Sequence, residues 1–386
     1  MKRIVILGST GSIGTQALSV IEKNRDKFEV YALSAHSNID LLLKQIKKFK
    51  PKKVALYSEI AADRLSKMVK HNGEVKILAG SKGLEDISSD RKADVILVAV
   101  TGINGLPSVM NALKNKICVA LANKESLVSG GRFVVEQLRV SNGMIIPVDS
   151  EHSAIFQLLS KAEKSAVRRV VLTASGGPFR GKSLAQIKNA NIKEVLKHPR
   201  WNMGKKVSVD SATMVNKAFE MIEAKWLFDL SSDRINVVIH PQAIVHSLIQ
   251  LVDGSYIAHI GPTDMRAPIA YALSYPERLD NVIRDTHLSE LEDITFEKVR
   301  YPFNRPLNIA RHVIDYDNDM GIVFNAADEV AVELFLQNKI SFGDIGKIIE
   351  YSIKHFKPSG IKTINDVLLF DMEIKTFIRK YVSERF

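Results

Sequence analysis

Cysteine is nearly absent: the 386 residues include one, Cys118, which excludes an internal disulfide and any metal cage built from several thiolates. It stands in an apolar run, 117–121, so it reads as buried filler, and a reducing cytoplasm is the expected compartment. No apolar run approaches the ~20 residues that cross a bilayer, and the apolar stretch within residues 1–8 is too short for a signal peptide. Neither a membrane partner nor a secretory leader is expected. Internal repeats and low-complexity segments are also lacking, which excludes solenoids and fibrous arrays. Acidic residues are the scarcer charge, 43 against 54 Lys and Arg, for a net +11. Such a balance suits nucleic acid, an acidic membrane surface or phosphorylated small molecules. The lysines are scattered apart from short groups such as 44–53, so the excess reads as a solvated basic surface, and nucleic acid is not expected as a partner.

What is present is an ordinary globular composition, 46% hydrophobic and 25% charged, over a length that suggests two or three domains at roughly 100–200 residues each. Residues 1–149 alternate short β-rich runs with helical patterns. Strands are predicted at 3–7, 29–33, 53–57, 75–78, 94–100, 117–121 and 144–148, several of them continuous apolar runs, as strands covered on both faces should be. The fold class is therefore α/β, with an N-terminal Rossmann-like doubly wound sheet. Residues 150–275 read as a central α/β domain, with strands at 169–173 and 235–239, a long helix over 210–224, and a hairpin of 246–252 and 255–260 closed by a tight Asp253-Gly254 turn. Residues 276–301 read as a linker. Residues 302–386 read as a helical bundle with helices at 321–337, 344–356 and 364–382, the last two preceded by Ser341/Asp344 and Thr363/Asp366 capping signals.

Gly8-Ser9-Thr10-Gly11-Ser12-Ile13-Gly14 joins the first strand to the first helix. Glycines there permit a tight turn and bring backbone N–H groups to a pyrophosphate at a helix N-terminus, where the helix dipole favours anions. The spacing is G-x-x-G-x-x-G, and its position between strand and helix is the informative part. The second strand ends in Ala35-His36-Ser37-Asn38 without the acid that commonly holds the ribose hydroxyls of NAD. Hydroxyl, amide and imidazole donors could instead take a 2′-phosphate, which leans the cofactor to NADPH, although Asp40 is close by.

Asp149 and Glu151 follow the apolar strand 144–148, at the end of a parallel sheet where ligands collect. Two carboxylates held close destabilise each other unless a cation intervenes, and oxygen ligands suit Mg²⁺ or Mn²⁺. On the predicted helix 210–224, Thr213, Asn216, Lys217 and Glu220 share a face at ~100° per residue. That face could hold a phosphate and offer a third acid, with Glu220 and Glu223 equally placed. The run Ser175-Gly176-Gly177-Pro178-Phe179 ends a strand in a small-residue turn that could expose N–H groups to an anion. His240 and His246 read as structural.

Together these segments resemble one family, the 1-deoxy-D-xylulose 5-phosphate reductoisomerases. The matching words are 8–14, 121–127, 147–156, 175–179, 198–204, 209–223 and Asp264-Met265-Arg266, and they run in the family's order. The resemblance implies a rearrangement of the keto-sugar phosphate to an aldehyde, reduced by NADPH to 2-C-methyl-D-erythritol 4-phosphate, a step of non-mevalonate isoprenoid synthesis. It implies one divalent ion per subunit, Mg²⁺ or Mn²⁺, on Asp149, Glu151 and Glu220, which settles Glu220 over Glu223. It assigns the substrate to Lys124, Ser150, Glu151, Ser175, His198, Trp201, Ser211, Asn216, Lys217 and Glu220, with Lys124 also at the reacting centre. The cofactor falls to Gly8, Thr10, Gly11, Ser12, Ile13, Ala35, His36, Ser37, Asn38, Asn123, Glu125 and Gly204. The segment 198–204 becomes a flap whose Trp201 excludes water, and a homodimer is expected. Two departures stand out. Some relatives carry a basic residue where this chain has His36-Ser37-Asn38, and Thr263 stands where a proline precedes Asp-Met-Arg, with Pro262 one position earlier. From the residues alone, the rival enzyme is another metal-assisted NADP oxidoreductase acting on a small hydroxy acid or sugar phosphate. The rival outside catalysis is an NADPH sensor or nucleic-acid binder.

Overall fold

Seven short strands rich in Val, Ile, Leu and Ala build the first sheet: β1 (Lys2–Leu7), β2 (Phe28–Ala35), β3 (Lys53–Leu56), β4 (Lys76–Ala79), β5 (Val95–Val98), β6 (Cys118–Leu121) and β7 (Ile145–Pro147). The structure, a computed structural model, describes residues 1–69, 75–201, 203–285, 287–291, 293–316 and 319–385. The strand order is β4-β3-β2-β1-β5-β6-β7, every pair parallel. Crossover helices cover both faces, so strands such as β5 bury every residue, which is why they read as unbroken apolar runs. The order reverses between β1 and its neighbours β2 and β5, opening a crevice at the carboxyl ends of these strands. This is the doubly wound sheet expected.

The second sheet holds β8 (Val167–Ala174), β9 (Ile235–Ile239), β10 (Val245–Leu251), β11 (Tyr256–Ile260) and β12 (Glu297–Lys298), in the order β11-β10-β8-β9-β12. Only β8 and β9 pair in parallel; the other pairs are antiparallel. The β10–β11 hairpin corrects one expectation. Leu251 N donates to Ser255 O at 2.9 Å, so Val252-Asp253-Gly254 make a three-residue loop, with Gly254 at φ 94°, and not a two-residue turn. The left-handed residue in that place is the signature of the longer loop.

A second correction concerns the helix predicted over 210–224. Two helices stand there, Lys205–Thr213 and Val215–Phe228, separated by Met214 at φ 69°. The Thr213 hydroxyl accepts from Val215 N at 3.3 Å while donating to Asp210 O at 3.1 Å, a side chain competing with the helix ladder. Among the described residues beyond 302 there are four helices, Asn304–Tyr316, Met320–Leu336, Phe342–His355 and Ile364–Arg385, one more than predicted. Both predicted capping boxes form: Asp344 accepts from Ser341 N at 3.0 Å, and Asp366 from Thr363 N at 2.8 Å.

The chain divides into two compact units. The first is Met1–Ser126, Val134–Ser153 and Asp264–Arg284; the second is Leu127–Phe133, Ala154–Thr263 and Asp285–Phe386. These bounds differ from those drawn on the sequence at 149 and 275, and the predicted linker is shared out between the units. Lys2 shows why 264–284 returns to the first: its ammonium donates to Ser274 O at 3.0 Å and Tyr275 O at 2.7 Å, capping the open carbonyls at the end of the helix Arg266–Ser274.

Candidate active site

The glycine loop is shaped by contacts that only glycine tolerates. At Gly8, φ is 85° and a Cβ would lie 2.5 Å from Ala99 O; at Gly14 a Cβ would lie 2.3 Å from Gly8 O. Ser34, at the end of β2, accepts from Gly8 N through its hydroxyl at 3.1 Å. Ser9 is fully buried, exchanging bonds with Gln45 at 2.7 and 2.9 Å. Thr10, Gly11, Ser12 and Ile13 are left partly or wholly exposed at the start of the helix Ser12–Lys23, whose cap Gly11 supplies no side-chain acceptor. The first N–H groups of this helix are therefore offered outward. Ser34 and Gln45 were not singled out from the sequence; a polar residue inside the apolar run 30–35 was the available signal.

At the end of β2, Ala35 is buried while His36, Ser37 and Asn38 are exposed. His36 stacks on Tyr57 with centroids 5.4 Å apart. Asn38 caps the next helix, accepting from Leu41 N at 3.2 Å, so His36 and Ser37 keep the freer side chains. Asn123 is buried and fully engaged: its two amide N–H groups are shared among Val100 O, Gly102 O and Glu125, at 3.0, 3.0 and 2.7 Å, and its oxygen caps the helix Lys124–Ser141 through Ser126 N at 3.1 Å. Its visible work, and that of the buried Glu125, is to fix the turns after β5 and β6.

Asp149 leaves β7 as the cap of the helix Ser150–Leu159, accepting from Glu151 N at 3.0 Å and His152 N at 3.1 Å. Its other oxygen takes the Lys124 ammonium, and both side chains are about 15% exposed (16% and 15%). Ser150 donates its hydroxyl to Glu151. A loop carboxylate thus becomes a helix cap with a built-in counter-charge. Nearby in sequence to the returning segment, Arg266 forks onto Asp264 at 3.0 Å. Burial works to raise the Asp264 pKa, but the Arg266 hydrogen bonds prevail and hold it below the ordinary carboxylate range.

In the second unit β8 runs into Ser175, followed by Gly176 at φ 85° and Gly177 at φ 64°. A Cβ on Gly177 would lie 3.1 Å from Ser211 O, so the turn packs directly on the helix Lys205–Thr213. Ser175 Oγ meets His198 Nε2 at 3.0 Å. His198 Nδ1 accepts from Arg200 N at 3.2 Å and Trp201 N at 2.8 Å, so the proton of the neutral ring sits on Nε2 and is donated to Ser175. Burial pushes the His198 pKa down to about 4. Arg200 donates to Pro241 O at 3.1 Å, anchoring the predicted flap, while Trp201 is half-buried and Gly204 exposed; Asn202 lies outside the described residues. On the helix Val215–Phe228, Glu220 is fully buried and takes Asn216 at 2.6 Å and Lys217 at 2.5 Å. The break at Met214 removes Thr213 from this face. Ser211 ends up half-buried on the other side of that break. His240 is a structural residue: its Nε2 accepts from Ile244 N and Val245 N, at 3.2 and 3.1 Å, and Nδ1 donates to Thr295 O at 2.9 Å.

These features define a class: a doubly wound dinucleotide-binding unit, joined in one chain to a second unit with a serine, histidine, lysine and acid-rich polar face. The family follows from comparison. Three family descriptions match in succession: 1-deoxy-D-xylulose 5-phosphate reductoisomerase over residues 4–131, its C-terminal domain over 145–228, and the DXP reductoisomerase C-terminal domain over 260–377. The 1-deoxy-D-xylulose 5-phosphate reductoisomerase of Thermoanaerobacter pseudethanolicus is 47% identical over 98% of this chain and 99% of its own, and that of Caldanaerobacter subterraneus is 45% identical over 99% and 100%. Among solved structures, a DOX-P reductoisomerase complex with NADPH, fosmidomycin and magnesium matches with TM-score 0.94 at 35% identity, covering 99% and 98% of the two chains. The Zymomonas mobilis reductoisomerase in complex with NADPH matches with TM-score 0.91 at 35% identity, covering 99% of both. The chain belongs to the 1-deoxy-D-xylulose 5-phosphate reductoisomerase family.

Proposed function

We propose that this protein is an NADPH- and divalent-metal-dependent enzyme that rearranges 1-deoxy-D-xylulose 5-phosphate and reduces the product to 2-C-methyl-D-erythritol 4-phosphate. One observation carries this reading. The three matched stretches, 4–131, 145–228 and 260–377, contain the glycine loop, both carboxylates of the β7 end, and the Ser175, His198, Ser211, Asn216, Lys217 and Glu220 group. The rival substrates, small hydroxy acids, gain no support from it.

The residues fit both cofactors. Asp149, Glu151 and Glu220 are carboxylates, hard oxygen donors suited to Mg²⁺ or Mn²⁺, and they are the residues that would hold the ion. Bound there, the ion supplies Lewis-acid polarisation of substrate oxygens. NADPH supplies the reducing equivalent, with its pyrophosphate on the N–H groups from Thr10 to Ile13 and its 2′-phosphate on His36 and Ser37. Within the chain, Lys124 balances the charge of Asp149, and the Ser150 hydroxyl orients Glu151 beside substrate. Ser175, Ser211, Asn216 and Lys217 receive the substrate phosphate. His198, neutral and donating from Nε2, adds a hydrogen bond without adding charge. Trp201, with Gly204 behind it, covers the substrate and excludes water. Asn123 and Glu125 act on the cofactor through the turns they fix, and Ala35 through its backbone.

Purified protein given 1-deoxy-D-xylulose 5-phosphate should oxidise NADPH with Mg²⁺ or Mn²⁺ and stop with a chelator. No turnover by folded protein shown to bind NADPH would overturn the assignment. Among the described residues no helix is long and apolar enough to cross a membrane; a cytoplasmic location is our reading of the single cysteine. We also propose a homodimer. The edge strand β11 exposes Tyr256, Ile257 and Ile260 at 56, 44 and 42%, an uncovered apolar edge that a second copy would cover. Sedimentation giving the monomer mass at micromolar concentration would count against it.

A further inference from the structure

The second unit contains an apolar recess that takes no part in the reading above. Its floor is Ala212, Thr213 and Val215, and its walls include Phe303, Phe342, Ile345 and Ile349. The space is about 110 Å³, of the order of the ~150 Å³ apolar cavity that takes up benzene. Gly346 also borders it, from inside the helix Phe342–His355. Glycine weakens a helix interior relative to alanine, yet a Cβ at this position would meet nothing within 4 Å. No neighbour requires the missing side chain, and its effect is to leave the recess open. At the mouth Arg305 pairs with Glu350 through Nη2. The guanidinium is the more exposed partner, 45% against 25%, and an arginine fork carries further N–H groups able to take an acid.

We propose that this recess is a regulatory site for a small carboxylic acid, its apolar body about the size of one benzene ring and its carboxylate on Arg305. The floor residues flank Met214, the left-handed junction between the helix carrying Ser211 and the helix carrying Asn216, Lys217 and Glu220. The wall reaches the same machinery a second way: Phe342 packs on Phe179 with centroids 5.2 Å apart, and Phe179 closes the Ser175 turn. An occupied recess holds this junction as it stands, with Asn216 and Lys217 both bonded to Glu220. A phosphate has to draw those donors toward itself, so occupancy raises KM for the phosphorylated substrate. This second step rests on the function proposed above; the binding step does not.

The test uses the whole protein with phenylacetate as the probe, binding read by calorimetry and ligand-observed NMR. Saturable one-to-one binding is expected, undiminished by saturating NADPH. Gly346→Leu should weaken it by at least roughly tenfold, since the new side chain occupies the space, while circular dichroism stays unchanged. Arg305→Gln, at an exposed position, gives an independent reading and should weaken it roughly tenfold. In turnover assays, saturating phenylacetate should raise KM for the substrate roughly fivefold with a smaller change in kcat. Absence of saturable binding, or equal binding to Gly346→Leu, overturns the site. Equal binding to Arg305→Gln overturns the acid. Binding that leaves KM unchanged overturns the regulation.

Discussion

His198 holds the turn through Arg200 and Trp201 only while it is neutral. Its Nδ1 already accepts two backbone N–H groups, from Arg200 and Trp201, and its Nε2 proton goes to Ser175. A second proton would have to sit on Nδ1, facing two donors, in a buried place. Burial accordingly brings the pKa to about 4 from the usual 6.5. At ~1.36 kcal/mol per pH unit, that gap corresponds to at most about 3 kcal/mol. The docked ring binds fewer protons than a released one, so docking is strongest above pH 6.5 and weakens as pH falls toward 4. Below about 4 both states are protonated and nothing further is lost. Two readouts follow this window: the His198 imidazole by ¹⁵N NMR, and Trp201 emission taken as the difference from Trp201→Phe. In His198→Gln, an amide supplies donor and acceptor without titrating, so the turn should stay docked across the window. A His198 titration near 6.5, or an acid profile unchanged by His198→Gln, would refute the latch.

Three other perturbations separate the parts of the site. Gly14→Ala places a methyl 2.3 Å from Gly8 O; strain of about 1–3 kcal/mol should weaken NADPH binding roughly tenfold or more in a fluorescence titration, and unchanged affinity would show that the loop does not carry the pyrophosphate. Glu151→Gln should lower kcat roughly 10²–10³-fold, the equivalent of losing several kcal/mol of Lewis-acid assistance, while NADPH affinity and circular dichroism hold; near-normal turnover would remove it from the metal set. Gly346→Ala should raise the unfolding free energy in urea by about 1 kcal/mol, because its Cβ meets open space inside a helix; a loss of stability would reveal a constraint at that position.

The parallel sheet was legible because covering helices force each strand to be apolar on both faces, and such runs bounded by polar turns have few other readings. The places where local reading failed are those where a single backbone dihedral decides. Apolar periodicity continues through Met214, so no pattern marks its left-handed turn, which comes from the Thr213 hydroxyl taking over a helix bond. Asp253-Gly254 carries the hairpin signal, but whether Val252 joins the loop is fixed by the pairing of Leu251 with Ser255. The return of 264–284 to the first unit was out of reach for a different reason: its anchor, Lys2, lies 272 residues away from Ser274.

At the site, residue types were readable and partners mostly were not. Nothing local joins Lys124 to Asp149 across 25 positions. Periodicity leaves Glu220 and Glu223 equally placed and the family resemblance favours Glu220; pair spacing adds a local reason why Glu220 can be buried. Both acids are buried, at 0 and 4% exposed, so burial does not separate them. Residues three and four apart on a helix face each other, and Glu220 has Lys217 and Asn216 at those offsets. The structure shows both residues bonded to Glu220, at 2.5 and 2.6 Å. A carboxylate taken out of water needs a counter-charge before any metal arrives, and Lys217 on the same helix gives Glu220 one. The same lysine and amide that hold it ready are those assigned to the substrate phosphate, so loading the site should redistribute bonds among Asn216, Lys217 and Glu220 together.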